Sequence, residues 1–385
     1  MSAERRRAGG APLAAPPDRS AARAALALVG VWLAYLGTVY LVGGRSLREL
    51  EIPARAGWHL GPGVSLLARW DAGWYATLAE RGYSFSTSTE STVGFFPLYP
   101  LLIRGASAVL SVNAFVAGSI VSALCLLGAM ALTHQYSRLV SPRVDPWIAV
   151  FVLLSLPSSF ILASVYSESL FLACVLGSYL LARRGRWRAS AAVAALASLT
   201  RVHGLALIPT LLVDGHRRRR EGASLASAVL PAVGALSGFA ALCGYFAARF
   251  HDPWAYFHSK QAWGLRRADA WAVLVQDVRA VLVGGAADNR LSQTLGVWMG
   301  LGWIVASVAL VRAKRFTEAT WVVCYAAMTF AGGGHVLWGG SRYSLCLFPL
   351  LTLLRGRLAL AAIMVGCLFQ SMLLVEYVNM LPSVP

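Results

Sequence analysis

Apolar runs long enough to cross a lipid bilayer recur from Ala25 to the C-terminus, and they constrain the fold more than any other feature. A helix needs about 20 mostly apolar residues to span a hydrocarbon core of about 30 Å. Of the 385 residues, 57% are hydrophobic and only 13% are charged, which differs strongly from a soluble domain. The sequence therefore predicts an all-α polytopic membrane protein.

The basic residues fall in short clusters between the apolar runs. A net charge of +17 is compatible with nucleic-acid binding, but this spacing favours a role in membrane topology and predicts no nucleic-acid partner. Lys and Arg concentrate in cytoplasmic loops, so the clusters and the N-terminus are placed inside. The clusters lie at 5–7, 138–143, 183–188, 216–220, 312–315 and 355–357.

The segments between these clusters predict about nine to eleven transmembrane or re-entrant helices. They are 25–44, 114–134, 147–164, 166–183, 222–249, 293–311, 318–334, 341–354 and 358–377. The basic, Pro- and Ala-rich residues 1–24 are predicted to be a disordered cytoplasmic tail. Residues 25–385 then form one transmembrane domain, with long external loops at 45–113 and 250–292.

Two further segments do not fit simple crossings. Residues 189–213 lie between two basic clusters and are too short to cross twice, which predicts two half-length helices that meet at the sequence TRVHG. Arg201 and His203 would lie at this break, where irregular backbone must be buried in protein or line a polar cavity. Residues 94–112 contain two prolines and an arginine, and they are predicted to form an interfacial or re-entrant helix outside.

This topology places the segments that are rich in aromatic, charged and Gly residues on the external side. They are RWDAGWY at 69–75, FFPLYP at 95–100, VYSES at 165–169, HDPWAYFHSKQAWG at 251–264 and GGGHVLWGGSRY at 332–343. The basic clusters alone determined the topology, so this convergence is an independent indication of one external site.

Asp71 is the predicted catalytic residue because it is a lone carboxylate among aromatic side chains. Trp70, Trp74 and Tyr75 would exclude water from it, which favours a general base, and aromatic faces also suit sugar rings. Two simpler interpretations stay open. An Asp near a helix start is often an N-cap, and aromatic residues often form a belt at the membrane interface.

A second acid and several basic residues complete the predicted site. Glu168 could be an interfacial residue, bind sugar hydroxyls or hold a cation. The basic residues would bind a lipid-linked phosphate, because charges near a membrane are costly unless they are paired, although the histidines could equally be hydrogen-bonded bundle residues. The predicted substrate-binding set is Arg69, Trp70, Trp74, Tyr75, Phe96, Tyr99, Tyr166, Glu168, Arg201, His203, Lys260, Trp263, Arg266, His335 and Arg342.

These residues predict transfer from a phosphate leaving group at the external membrane face. One carboxylate removes a proton from an acceptor hydroxyl, and cations stabilise the charge on the departing phosphate. A glycosidase would normally use two carboxylates. The alternative is a transporter or flippase of a lipid-linked sugar, which also needs intramembrane Arg and broken helices. A structural subunit would leave the clustered polar residues without a purpose.

Several motifs resemble, in order, the PIG-V family of GPI mannosyltransferase 2-like enzymes and their bacterial relatives, within the GT-C glycosyltransferases. They are RWDAGWYATLAERGY, GFFPLYPLL, SSFILASVYSESLF, RRGRW, ASLTRVHGL and HDPWAYFHSKQAWG, and the resemblance runs from about residue 25 to 360. It implies a GT-C-like bundle with a long first external loop, and an inverting enzyme with polyprenyl-phosphate mannose as donor. Asp71 matches the family's catalytic position, and Tyr166, Ser167, Glu168 and Arg201 match further motifs.

Two departures limit what the resemblance implies. Family members often have Arg-Pro-x-Gly where this chain has RVHG, which puts an inherited role for His203 in doubt. Many GT-C enzymes carry two acids in the first loop, whereas Ala72 and Gly73 follow Asp71 here. A metal-bridging role is therefore weakened, and the metal ligands stay unknown. A divalent cation, Mg²⁺ or Mn²⁺, is left open as a cofactor.

The predicted partners are the polyprenyl-phosphate mannose donor, membrane lipids, and a glycolipid, glycan or protein acceptor. Arg greatly outnumbers Lys, which is typical of GC-rich bacterial genomes and favours the plasma membrane of a bacterium. The endoplasmic reticulum membrane is expected if the source is eukaryotic. Bacteria of this kind do not generally make GPI anchors, so the acceptor is expected to be another molecule.

Overall fold

The computed structural model describes residues 27, 30–38, 69–263, 270–283, 290–331, 337 and 339–378. Within these residues the chain forms α-helices joined by loops and short 3-10 turns, and it contains no β-strand. The all-α prediction is thereby confirmed. The predicted tail at 1–24, most of the predicted helix at 25–44 and the first part of the loop at 45–113 lie outside the described residues.

Fourteen α-helices are numbered here in chain order from residue 71. They are α1 (Asp71–Arg81), α2 (Leu98–Leu110), α3 (Ala114–Val140), α4 (Trp147–Ser155), α5 (Glu168–Arg183), α6 (Trp187–Thr200), α7 (Leu207–Arg220), α8 (Leu225–Phe250), α9 (Ala255–Ser259), α10 (Ala270–Val283), α11 (Arg290–Arg312), α12 (Phe316–Ala331), α13 (Gly340–Ser344) and α14 (Gly356–Val378).

Four of these helices are long and apolar enough to cross a membrane: α3, α8, α14 and Leu291–Arg312 of α11. Each coincides closely with one of the predicted segments, since a sustained apolar run is a strong local signal, although α8 begins three residues after the predicted start at 222. Together they identify a multi-pass membrane protein. Helix α2 is apolar but has 13 residues, which is about 20 Å of helix and too short to cross.

Two predicted membrane helices are wrong as continuous elements. The segment 147–164 ends as an α-helix at Ser155, and a 3-10 turn follows at Ser159–Ala163. The segment 341–354 contains only α13 and a second 3-10 turn, Phe348–Thr352. Proline explains both interruptions, because it restricts the preceding residue and lacks a backbone donor. Pro157 and Pro349 lie at these positions.

The predicted pair of half-length helices is confirmed. Helix α6 ends at Thr200, Arg201 is extended, and a 3-10 turn at Val202–Ala206 leads into α7. Each helix has 14 residues, or about 21 Å of length. A Cβ atom on Gly204 would lie 2.5 Å from the Cα of Ser198, so the turn folds tightly against the end of α6.

The basic clusters at 183–188, 216–220 and 312–315 meet at one end of the bundle. Arg183 and Arg218 both pair with the buried Asp214, at 3.3 Å and 2.9 Å. Tyr179 donates a hydrogen bond to Glu318, and Arg315 pairs with the same carboxylate. These contacts join the C-terminal ends of α5 and α7 to the start of α12, and they leave the opposite end of α5 for the acids of the predicted site.

Candidate active site

Four predicted site residues from distant segments form one ion-pair network. Asp71 begins α1, Glu168 begins α5, Arg201 lies at the break after α6, and Arg342 lies in α13. Arg342 Nη1 donates to Asp71 Oδ2 at 2.8 Å, and Arg342 Nε donates to Glu168 Oε1. Arg201 Nη1 donates to the same Glu168 oxygen at 2.6 Å. Two acids and two guanidinium groups are therefore joined in one formally neutral cluster.

Burial differs sharply within this network. The side chain of Glu168 is 1% exposed, those of Arg342 and Arg201 are 11% and 13% exposed, and that of Asp71 is 26% exposed. Buried charges require partners, because desolvation is otherwise unfavourable by several kcal/mol. Asp71 is thus the member of the network most open to an incoming molecule. Glu168 Oε2 is buried and has no hydrogen-bond partner among the described residues.

The turn that carries Asp71 has a strained backbone, and hydrogen bonds from two tyrosines elsewhere in the chain hold it in place. Trp70 has φ of 55° and ψ of −120°, a region that non-Gly residues rarely adopt. The Tyr166 hydroxyl donates to the carbonyl of Arg69 and accepts from the backbone N–H of Asp71, both at 3.3 Å. Tyr377 donates to the same carbonyl at 3.4 Å. Trp70 occupies the N-cap position, so the interpretation of Asp71 as a helix cap is wrong.

Further side chains fix the arginines. Tyr75 shares a hydrogen bond of 2.8 Å with Ser167, whose Oγ also accepts from Arg201 Nη1 at 3.3 Å. The guanidinium of Arg342 lies over the ring of Tyr166 at 4.7 Å, which adds a cation–π contact. The charged groups are therefore held in place before any substrate binds, which favours electrostatic catalysis.

The predicted aromatic residues divide between the site and the core. Trp70 and Trp74 are half-buried, and Trp74 stacks on Phe95 with 6.0 Å between ring centroids. Tyr99 is buried and bonds Ser122 at 2.6 Å, and Phe96 packs among buried aromatic residues between α8 and α9. This burial favours a supporting role for Tyr99 and Phe96, since neither is open to a ligand in this structure.

The other predicted basic residues lie at different depths. His203 is buried, with Nε2 3.1 Å from Thr329 Oγ1 and its ring 4.6 Å from that of Tyr325, as expected of a hydrogen-bonded bundle residue. Lys260 is half-buried, and its Nζ lies 4.8 Å from the ring centroid of Tyr256. Arg69 is buried and belongs to the turn that leads into α1. Arg266, His335 and the side chain of Trp263 lie outside the described residues.

Both acids of the network are paired with Arg342. Within the part of the chain that the structure describes, no group of three or more His, Cys, Asp or Glu side chains could hold a metal ion. The guanidinium of Arg342 contacts both Asp71 and Glu168 and supplies the positive charge there. Mg²⁺ or Mn²⁺ as a cofactor stays a prediction from the sequence.

An apolar cavity of about 300 Å³ lies between α1, α2, α6 and α8. Ala79 and Leu242 line it, as does Leu199, which precedes Arg201 by two residues. Arg104 and the half-exposed Tyr245 also contribute to its wall. The mostly apolar lining suits a hydrocarbon chain, and Arg104 adds a cation to the wall.

Sequence reasoning missed the residues that brace the network. Tyr377, in the last helix, donates to the turn that carries Asp71, and it lies within an apolar run where one hydroxyl gives no distinct signal. Ser167 was matched only through the resemblance, without a role. A polar residue inside a predicted membrane helix could have served as a signal, because such residues usually face the bundle interior.

No family model matches the chain. GPI alpha-1,6-mannosyltransferase 2 of Rattus norvegicus is 33% identical over 189 residues, which are 46% of this chain and 37% of that protein. The protein of the same name from Cricetulus griseus is 32% identical over 157 residues, covering 38% and 31%. The match thus spans about a third of the length of these curated relatives.

Among solved structures, the oligosaccharyltransferase of Archaeoglobus fulgidus in the apo form has a TM-score of 0.48 and 14% sequence identity to this chain. The alignment covers 92% of this chain and 56% of that one. On the sequence comparison, the chain is distantly homologous, over nearly half of its length, to GPI alpha-1,6-mannosyltransferase 2.

Proposed function

We propose that this protein transfers mannose or a related hexose from a polyprenyl-phosphate donor to a glycolipid, envelope glycan or protein, with inversion. The ion-pair network carries this proposal, because it places one accessible carboxylate beside two arginines that are held by a buried acid. The distant homology to a mannosyltransferase supports the class of sugar.

Asp71 is the general base of the proposed reaction. Its carboxylate removes the proton of the acceptor hydroxyl while the hydroxyl oxygen attacks the anomeric carbon of the donor sugar. The bond between that carbon and the phosphate oxygen breaks, and the phosphate leaves with the electron pair. A single displacement of this kind inverts the anomeric centre. The positive charges of Arg201 and Arg342 stabilise the departing phosphate.

Glu168 has a positioning role in this proposal. It is almost fully buried, and one of its oxygens accepts hydrogen bonds from both arginines, so it is poorly placed to meet an acceptor. Its charge offsets theirs and keeps the two guanidinium groups at the site. The buried Tyr166 and Tyr75 support the same geometry.

The lipid part of the donor is proposed to enter the apolar cavity beside α1. The cavity reaches Leu199, close to Arg201, so a chain there and a phosphate at the arginines can belong to one molecule. The basic clusters at 183–188, 216–220 and 312–315 lie at the other end of the bundle, which supports an extracytoplasmic site. The Arg-rich composition supports the plasma membrane of a bacterium.

The test is an assay of purified protein with labelled polyprenyl-phosphate mannose and a membrane lipid extract. Wild-type protein is expected to label an extract component, and Asp71→Asn is expected to label none. Glu221→Gln is the control, because Glu221 is another ion-paired acid, 62% exposed, that pairs with Arg217 at the opposite end of the bundle. Wild-type turnover in Asp71→Asn would remove Asp71 as the base.

The same assay separates the transferase from a flippase, which the broken helix pair α6 and α7 would also suit. A flippase would move the labelled lipid across a vesicle membrane and leave its sugar–phosphate bond intact. Release of free polyprenyl phosphate together with a labelled acceptor supports the transferase.

A further inference from the structure

We infer that Arg342 exchanges partners during the reaction, pairing with Asp71 in the resting site and with the donor phosphate once the donor binds. The donor would thereby free its own catalytic base. This inference rests on the proposed function and adds an order to it, in which the donor binds before the acceptor.

The contacts of Arg342 make such an exchange feasible. Its guanidinium is held by Glu168 through Nε, by the ring of Tyr166, and by Asp71 through Nη1. The first two partners are buried, whereas Asp71 is about one quarter exposed. The bond to Asp71 is therefore the one that a ligand can replace while the guanidinium keeps its position.

The resting bond also limits what Asp71 can do. Oδ2 of Asp71 accepts from Arg342 at 2.8 Å, so the lone pair on that side is not available to an acceptor hydroxyl. A phosphate has more acceptor oxygens than a carboxylate and pairs well with the planar guanidinium. An incoming phosphate can therefore take over Nη1 and leave the carboxylate open to the acceptor.

The charges at the site favour a single arginine, Arg342, that pairs with Asp71 and with the donor phosphate in turn. In the resting site, two carboxylates and two guanidinium groups sum to zero. The donor phosphodiester adds one negative charge. As the new bond from the acceptor oxygen to the anomeric carbon forms, the proton neutralises Asp71, and the departing phosphate becomes a dianion. Negative charge thus leaves one partner of Arg342 and appears on the other, so the contact is stronger in the transition state than before it.

The inference predicts that a catalytically inactive variant binds the lipid phosphate more tightly. The probe is polyprenyl phosphate, titrated into purified protein in detergent micelles, with the Kd measured by calorimetry. Asp71→Asn removes the competitor for Arg342, and its Kd is expected to fall about tenfold, within the usual range of coupling between two sites. The control variant Glu221→Gln, far from the site, is expected to bind as wild type does.

The same measurement in variants that lack Arg342 separates two explanations for tighter binding. One is competition between Asp71 and the phosphate for Arg342, and the other is simple repulsion between Asp71 and the phosphate. Arg342→Gln leaves Glu168 paired with Arg201, so no acid at the site becomes both fully buried and unpaired. In this background Asp71→Asn is expected to change the Kd by less than about twofold, because the shared partner is gone. If the Gln variant does not fold, Arg342→Lys replaces it. The lysine ammonium is a point charge and does not reproduce the fixed contacts of the guanidinium with both acids. In this background Asp71→Asn should therefore lower the Kd for polyprenyl phosphate by less than about threefold.

Two results would overturn the inference: equal Kd values for wild type and Asp71→Asn, or a tenfold gain that persists without Arg342. Either result leaves the proposed function intact if wild-type protein still transfers the labelled sugar. If wild-type protein neither binds polyprenyl phosphate nor transfers sugar, the proposed function fails as well.

Discussion

Glu168→Gln tests whether the buried acid organises the site, and Glu318→Gln is its matched control. Both glutamates are buried and both accept from arginine, but they lie at opposite ends of the bundle. Glu168 holds two guanidinium groups, with one bond of 2.6 Å to Arg201, whereas Glu318 meets Arg315 at 3.4 Å. The Gln side chain keeps the shape of Glu and removes the charge.

The structure sets the size of the expected loss. Removing one partner of a buried ion pair costs about 3–5 kcal/mol, because the remaining charge is left uncompensated. Arg342 keeps Asp71, and each arginine retains slight exposure, so the cost at Glu168 is expected at about 2–4 kcal/mol. Glu318 has one longer ion pair, and Gln can keep the hydrogen bond from Tyr179, so its loss is expected at about 1–2 kcal/mol.

The assay has two readouts on the same detergent-purified proteins. Thermal unfolding followed by Trp fluorescence measures stability, and transfer of labelled mannose measures activity. Glu168→Gln is expected to lower the midpoint by several degrees and turnover by about a hundredfold or more, since both arginines lose their fixed position. Glu318→Gln is expected to lower only the midpoint. Unchanged turnover in Glu168→Gln, or an equal loss in Glu318→Gln, would refute the positioning role.

Three further substitutions test other parts of the structure. Tyr166→Phe keeps the ring beside the guanidinium but removes both 3.3 Å hydrogen bonds to the Asp71 turn. The kcat should therefore fall about tenfold with little change in KM for the donor, whereas a tenfold rise in KM with unchanged kcat would contradict this. Gly204→Ala places a Cβ against backbone and should destabilise the fold by about 1–3 kcal/mol in thermal unfolding, while Gly244→Ala, with open space around it, should not. Ala79→Trp fills the apolar cavity and should raise KM for a long-chain donor about tenfold more than for a short-chain one, and equal effects on both donors would remove the cavity from lipid binding.

Several features of the fold follow from the sequence because their causes are local. Apolar runs of sufficient length predicted the four long helices, and a run too short for two crossings predicted the break at Arg201. Proline effects were local too, yet the two interrupted segments were still predicted as continuous because hydropathy alone does not register a break. The aromatic setting of Asp71 was enough to select it as a candidate, although not to identify its partner.

Only the tertiary structure decided which charges meet. Arg342 lies 271 residues from Asp71 along the chain, and nothing in either segment specifies the pair. Their contact depends on how α1, α5 and α13 pack, and packing is determined by many side chains acting together. The same packing buries Tyr166 and turns a predicted ligand contact into a support for the Asp71 turn. The sequence by itself therefore determined the helical membrane architecture and the candidate acid, whereas helix packing decided the ion-pair network that makes the acid a site.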